Sequence, residues 1–329
     1  MTRSRFFWPR LVLGGLAGVL AVVALPVTLA RLVGGSAATP LPQLAAFATW
    51  GVVVWGGVAV GFLVCRWWRP LMVVAVALVL HVWWLVPPQD ARTVAAGVEA
   101  PGRVPIRVLT VNVLYGQGDA DVVARWVRER RVDIVAVEEL TPQFAQRLGA
   151  LVGGLLPHTE LRPDPRSPAG TGIWSRWPIR SRAMLPTAGF YIPQVVVQVP
   201  DAQAITVTAV HTKPPTPAGV EVWEADLRVL AGAAGKVSGP HIMLGDFNAS
   251  RDHSAFRDVL AAGLTDSADA AATVARPGFT WPTKNHRLPP FVRIDHVLVT
   301  PDTFAVADVE VLDLPGSDHR GVFAELALG

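Results

Sequence analysis

Hydrophobic positions follow two regimes along this chain, and the change between them falls near residue 87. Before it, apolar residues run on over bilayer-matching lengths, at about 11–33, 41–64 and 67–86. Arg31 alone interrupts the first run. Gly51, Gly56, Gly57 and Gly61 give the second run small faces for close helix packing. Trp67-Trp68 and Trp83-Trp84 bracket the third, as aromatic belts at two interfaces do. The pattern predicts a membrane domain over 1–86 with three transmembrane helices. A secretory signal has an apolar core of only about 7–15 residues, so the first run reads as a span. Pro87-Pro88 end the last helix by removing donors, and 87–105 reads as a polar linker.

From 106 to 329 the apolar runs are short and bounded by turn residues. Strands are predicted at 106–112, 132–137, 171–175, 182–186, 194–199, 205–210, 242–244, 293–299, 305–312 and 321–326. Helices are predicted at 119–131, capped by Asp119, at 142–150, and at 221–236, which is amphipathic. Such alternation, with many hairpin-length links, points to an α/β sandwich of mixed sheets rather than a doubly wound parallel sheet.

Composition sharpens the division. At 51% hydrophobic residues the 329-residue chain is too apolar for a purely soluble enzyme, and the excess lies in the first 86 residues. A formal charge of +3 gives no reason to infer nucleic-acid affinity. The single Cys65 excludes a disulfide framework. Arginine placement orients the spans: Arg3, Arg5 and Arg10 precede the first, Arg66 and Arg69 follow the second, and only Arg31 lies near the first loop. The positive-inside rule then puts the N-terminus in the cytoplasm, and three spans put the folded domain outside a multi-pass cell membrane protein.

The chemistry concentrates in H-I-M-L-G-D-F-N-A-S, residues 241–250. A buried strand over 242–244 stops at Gly245, and Asp246 and Asn248 emerge on one side, a carboxylate and an amide aimed at one centre. Other polar residues also end apolar strands: Asn112, Glu139, His211, Asp295 and the pair Asp318-His319. Carboxylates with Asn are hard oxygen ligands suited to Mg2+ or Mn2+, and no Cys/His cluster for zinc accompanies them. The set reads as metal-assisted phosphoester hydrolysis. Lys213, two residues from His211, is a candidate phosphate contact, and Trp281 in F-T-W-P-T either lines the substrate groove or belongs to the core.

T-V-N at 110–112, V-D-I-V-A-V-E-E-L at 132–140, G-T-G-I-W-S-R at 170–176, V-H-T-K at 210–213, L-G-D-F-N at 244–248, R-I-D-H-V at 293–297 and S-D-H-R-G-V at 317–322 occur in that order. They resemble the successive motifs of the endonuclease/exonuclease/phosphatase superfamily, from about 106 to the C-terminus. The resemblance implies a four-layer α/β (α+β) sandwich of two mixed, largely antiparallel sheets flanked by helices. It implies Glu139 as principal metal ligand, Asn112 positioning the metal or its water, and Asp318 beside the metal. Asp246 would orient or deprotonate water, and Asn248 would hold a phosphoryl oxygen. His319 would contact the scissile phosphate, oriented by Asp295, and His211 would donate to a phosphate oxygen. Three positions depart from the family pattern: Glu138 where Gln is common, Leu114 where repair nucleases carry an acid, and His296 where an aromatic is frequent.

Three spans followed by an external domain of this kind resemble the VanJ-type membrane proteins of teicoplanin resistance. That resemblance implies dephosphorylation of undecaprenyl pyrophosphate, the cell-wall carrier lipid, with a lipid-linked phosphate and the membrane as partners, nucleic acid not expected, and no obligate protein partner. A membrane-anchored nuclease, drawing on Arg162, Arg166, Arg176, Arg180 and Arg182, is an alternative. So are a phospholipase C-like phosphodiesterase and a non-catalytic sensor on the same fold.

Overall fold

A computed structural model describes residues 7–34, 39–88, 91, 102–270, 278–283 and 289–329. Contacts divide the chain into two units, Met1–Val86 with Arg251–Ser254, and Pro87–Ser250 with Ala255–Gly329.

The first unit contains α1 (Phe7–Val33), α2 (Leu41–Ala45), a 3-10 turn at Ala48–Trp50, α3 (Gly51–Cys65) and α4 (Trp68–Trp84). Ala17, Trp55, Val58, Phe62 and Val74 pack inside it, while Val12, Val19, Val22, Val73 and Val76 face outward. Helices apolar on every side suit a lipid surround. Trp8–Val33 and Leu41–Cys65 are each long and apolar enough to cross a membrane. The segment expected as a third span forms a shorter apolar helix, Trp68–Trp84, of 17 residues, about 25 Å at the helical rise against a hydrocarbon core of about 30 Å. His81 bridges the Thr28 hydroxyl (3.0 Å) and the Ala48 carbonyl (2.8 Å), so it braces helices. Asp252 accepts from Arg31 and from Thr49 Oγ1, and both members of the ion pair are buried.

In the second unit the strands are β1 (Val104–Asn112), β2 (Ile134–Glu138), β3 (His158–Arg162), β4 (Thr171–Ser175), β5 (Ile179–Met184), β6 (Pro193–Val197), β7 (Ile205–His211), β8 (His241–Asp246), β9 (Thr265–Asp266), β10 (Asp295–Val299), β11 (Phe304–Asp313) and β12 (Arg320–Leu328). The helices are α5 (Ala120–Glu129), α6 (Pro142–Val152), α7 (Val220–Ala234), α8 (Ser254–Ala261) and α9 (Ser267–Ala270). Most of the expected linker lies outside the described residues.

Two six-stranded sheets form, ordered β11-β12-β1-β2-β4-β3 and β5-β6-β7-β8-β10-β9. Each contains one parallel pair, β1 with β2 and β7 with β8; the other pairings are antiparallel. Period-two alternation builds the layers. Ile106, Val108, Ile134 and Ala136 meet Val207, Ala209, Leu244 and Val297 between the sheets. Leu109, Val111, Val135 and Val137 face the other way, onto Val123 and Val127 of α5 and Leu148 of α6. The second sheet is covered by α7, whose Trp223 Nε1 donates to the Phe247 carbonyl, and by α8, whose Phe256 packs on His296. Asp119 caps α5 by accepting from the Asp121 and Val122 amides, as predicted.

Candidate active site

The parallel pairs run in the same direction with their ends in register, which is how residues far apart in sequence meet. Asn112 ends β1 opposite Glu138 of β2, and His211 ends β7 opposite Asp246 of β8. Antiparallel β10 sets Asp295 opposite Asp246. The close approach of β7 and β8 needs Gly245: its φ is +146°, and a Cβ there would lie 1.9 Å from the Val210 carbonyl oxygen. Leu114, Tyr115, Glu139 and Asn248 all have positive φ, 44° to 56°. Left-handed backbone at non-glycine residues persists only where the surroundings over-determine it, and here it gathers around the strand ends.

Asp246 Oδ2 is the focus. Asn112 Nδ2 donates to it at 3.0 Å and Asn248 Nδ2 at 3.2 Å, while His211 Nε2 and His319 Nε2 each stand 3.8 Å away. The Asn248 amide NH also donates to Asp246 Oδ1 (2.8 Å), and its side-chain NH2 reaches the Thr212 carbonyl (2.9 Å). His319 Nδ1 faces both oxygens of Asp295, at 3.0 and 3.2 Å. Ser317 ties this group to β1: its hydroxyl accepts from the His319 amide (3.0 Å) and donates to the Asn112 carbonyl (2.7 Å). On the far side of Asn112, Glu139 accepts from Asn112 Nδ2 (3.3 Å) and from the Tyr115 amide (2.8 Å).

Burial and charge set the protonation states. Burial opposes the charge of His319, but Asp295 and Asp246 hold its pKa up at about 10, so it is a cation. Burial pushes the Asp246 carboxyl up to about 7, with His319 opposing the rise and Asp295 adding to it. His211 goes the other way, down to about 3, through burial and then the charge of His319, and is neutral. Glu138 is fully buried and accepts from Thr110 Oγ1 (3.0 Å); burial, then the charge of Asp295, raises its carboxyl well above the usual range. Burial also raises Glu139.

Asn112, Glu139, His211, Asp246, Asn248, Asp295 and His319 are thus brought together. Asp318 is joined to them through His319, 4.0 Å away, and Trp281 joins through Nε1, which donates to Asp318 Oδ2 (3.3 Å). Lys213 lies near enough to Asp226 for its charge to oppose the rise that burial gives that carboxyl. Sequence reasoning assigned no role to Ser317, Thr110, Thr212 or Phe190, whose ring centroid lies 4.4 Å from that of His211. Ser317, Thr110 and Thr212 sat inside recognised motifs; Phe190 carried no signal.

The donor chemistry fits a hard divalent cation. Asp318 Oδ1 is buried without a hydrogen-bond partner among the described residues, and the Glu139 carboxylate lies near it in charge terms. Asp246, Asp295 and His319 also bring ligand atoms within 4.8 Å of one another. Both oxygens of Asp295 face the His319 ring, however, so this trio reads as an oriented acid–base cluster.

A sequence model of the endonuclease/exonuclease/phosphatase family matches residues 109–319. The chain belongs to this family. Solved relatives share the fold. An endonuclease/exonuclease/phosphatase from Beutenbergia cavernae is 23% identical (TM-score 0.55), covering 68% of this chain and 72% of its own. A 3' phosphatase from Neisseria, bound to a product DNA hairpin, is 19% identical (TM-score 0.54) over 67% and 98%. Sphingomyelinase C from Streptomyces griseocarneus is 15% identical (TM-score 0.50) over 68% and 99%. Among curated proteins, none matches the chain. The matched span, 109–319, holds the residues that converge on Asp246.

Proposed function

We propose that this protein is a divalent-metal-dependent phosphohydrolase at the outer face of the cell membrane. Its proposed substrate is undecaprenyl pyrophosphate, as in the teicoplanin-resistance proteins it resembles. The observation that carries the chemistry is the convergence of Asn112, Asn248, His211 and His319 on the buried Asp246 carboxylate. A Mg2+ or Mn2+ ion held by Glu139, Asn112 and Asp318 would supply positive charge to the phosphoryl oxygens. Asp246, with its carboxyl raised to about 7 by burial, accepts the proton of the attacking water near neutral pH. Water adds to phosphorus as the bond to the leaving phosphate oxygen breaks. The cationic His319 donates from Nε2 to the charge developing on phosphate, and Asp295 fixes its ring. Neutral His211 donates from Nε2 to a second phosphoryl oxygen, and Asn248 turns its NH2 toward a third.

Location rests on the apolar helices. We count α4 as a third span, with Trp67 before it and Leu85-Val86 after it lengthening the apolar run. The count matters, since three spans put the catalytic unit outside and two would keep it beside the N-terminus. A linker of under twenty residues keeps the site near lipid headgroups, where effective concentration favours a lipid-linked phosphate over free polymers. The nuclease alternative loses support at its arginines. Arg162 and Arg182 both pair with Glu160 (2.8 and 3.0 Å), and Arg176 pairs with Asp133 (2.9 Å), so three of the five are engaged in ion pairs with two carboxylates.

The test is orthophosphate release from undecaprenyl pyrophosphate by the detergent-purified chain. Release that is abolished by a chelator and restored by Mg2+ or Mn2+ supports the reading. Release indifferent to both ions overturns it.

A further inference from the structure

Strand β10 presents two neighbouring side chains to opposite faces, and both end at the site. Asp295 orients His319. His296, on the other face and fully buried, reaches the turn that carries Asp246 and Asn248: its Nε2 meets the Ala249 carbonyl at 2.9 Å. Its Nδ1 meets Asp266 Oδ2 at 2.7 Å. A carbonyl and a carboxylate both accept, so both ring nitrogens donate. Asp266 is itself fixed: its Oδ1 accepts from the Ala268 amide (3.0 Å), and Arg293 lies 3.3 Å from Oδ2 while pairing with Asp269 at 3.0 Å. Burial opposes the Asp266 charge, yet Arg293 and His296 hold its carboxyl well below the usual range. Phe256 and Phe247 enclose the ring at 4.4 and 5.7 Å between centroids.

The turn requires such an anchor. Asn248 sits at φ +46°, which an Asn adopts at a cost unless held. On its N-terminal side, Phe247 is pinned: its amide donates to the Ile294 carbonyl (2.9 Å), and its own carbonyl accepts from Thr212 Oγ1 (2.5 Å) and Trp223 Nε1 (3.3 Å). On its C-terminal side the Ala249 carbonyl is held by His296. A phenyl ring at this position would fill the same pocket and hold nothing.

We infer that His296 is a positioning residue for the hydrolysis, bridging Asp266 to the Ala249 carbonyl and thereby fixing the Asp246–Asn248 turn in its reactive geometry. The inference rests on the hydrolase reading of Asp246 and Asn248. Removing the bridge while keeping the ring should let the turn relax, and a displacement of about 1 Å near reacting groups costs on the order of a hundredfold in rate.

The experiment uses the full-length detergent-purified chain with Mg2+ and undecaprenyl pyrophosphate, comparing wild type with His296→Phe, His296→Gln and Asp266→Asn. His296→Phe should lower kcat about 100-fold, with KM within about twofold, because binding contacts are untouched. His296→Gln, which keeps a donor for Ala249, should recover to within about tenfold of wild type. Hydrogen exchange followed by mass spectrometry gives a readout independent of turnover. Amides of 246–250 should exchange faster in His296→Phe than in His296→Gln, with those of 106–111 unchanged. Equal kcat in wild type and His296→Phe, or equal exchange at 246–250, overturns the inference. Exchange at 246–250 that is faster in His296→Phe as expected, while wild type releases no phosphate, supports the anchoring of the turn by His296 and overturns the hydrolase reading instead.

Discussion

His319 keeps its proton because Asp295 and Asp246, both buried, face its two nitrogens at 3.0 and 3.8 Å. Its pKa of about 10 and the value of about 7 for Asp246 define a window in which the base is ionised and the electrostatic donor is charged. Activity should rise as pH passes upward through the Asp246 value and fall as it passes upward through the His319 value. Asp295 is the first neighbour that raises His319, and it also raises Asp246. Asp295→Asn should therefore move both limbs of the pH–rate profile to lower pH, and loss of the oriented imidazolium should cost about a hundredfold or more in kcat. A profile that stays in place would mean that Asp295 does not govern the pair. Individual residues were legible to differing degrees. Asp246, Asn248 and His319 stood out because polar residues at the ends of apolar strands are conspicuous. His296 did not, since its value lies in two partners, Asp266 and Ala249, that only the folded sheet brings to it.

At the scale of elements, the site depends on β7 and β8 approaching in parallel with His211 level with Asp246. Gly245 permits this by presenting no Cβ to the Val210 carbonyl. Gly245→Ala should destabilise the fold by on the order of 3 kcal/mol, combining backbone strain with overpacking, and should abolish activity even where the protein folds. Thermal unfolding beside the phosphate assay checks both. A variant with wild-type melting and turnover would show that the close approach is dispensable. Strongly apolar strands such as β2 and β8 were readable from sequence because they are buried on both faces. β3 was not: H-T-E-L-R is polar, partly exposed, and at the edge of its sheet, between segments rich in Pro and Gly. β5 was shifted for a related reason, since most of its residues are exposed and give no alternation to fix its ends.

Across the whole molecule, composition sets an apolar N-terminal stretch apart from the rest of the chain, and the family match over 109–319 agrees with where the motifs lie. Span number was less legible, because apolar character does not report where a helix begins and ends; Trp68–Trp84 is shorter than the run that suggested it. The proposed three spans can be tested with Cys65→Ser, which leaves no cysteine, combined with Ser181→Cys on exposed β5. A membrane-impermeant maleimide should label this variant in intact cells, whereas labelling only after permeabilisation would return the catalytic unit to the cytoplasm. The most direct test of the central claim is chemical. Detergent-purified protein with Mg2+ or Mn2+ would be offered undecaprenyl pyrophosphate beside duplex DNA, with Asp246→Ala and His319→Ala as controls. The expected result is orthophosphate from the lipid, little DNA cleavage, and a loss of about a hundredfold or more in either variant. Cleavage of DNA with the lipid untouched, or variants as active as wild type, would contradict it.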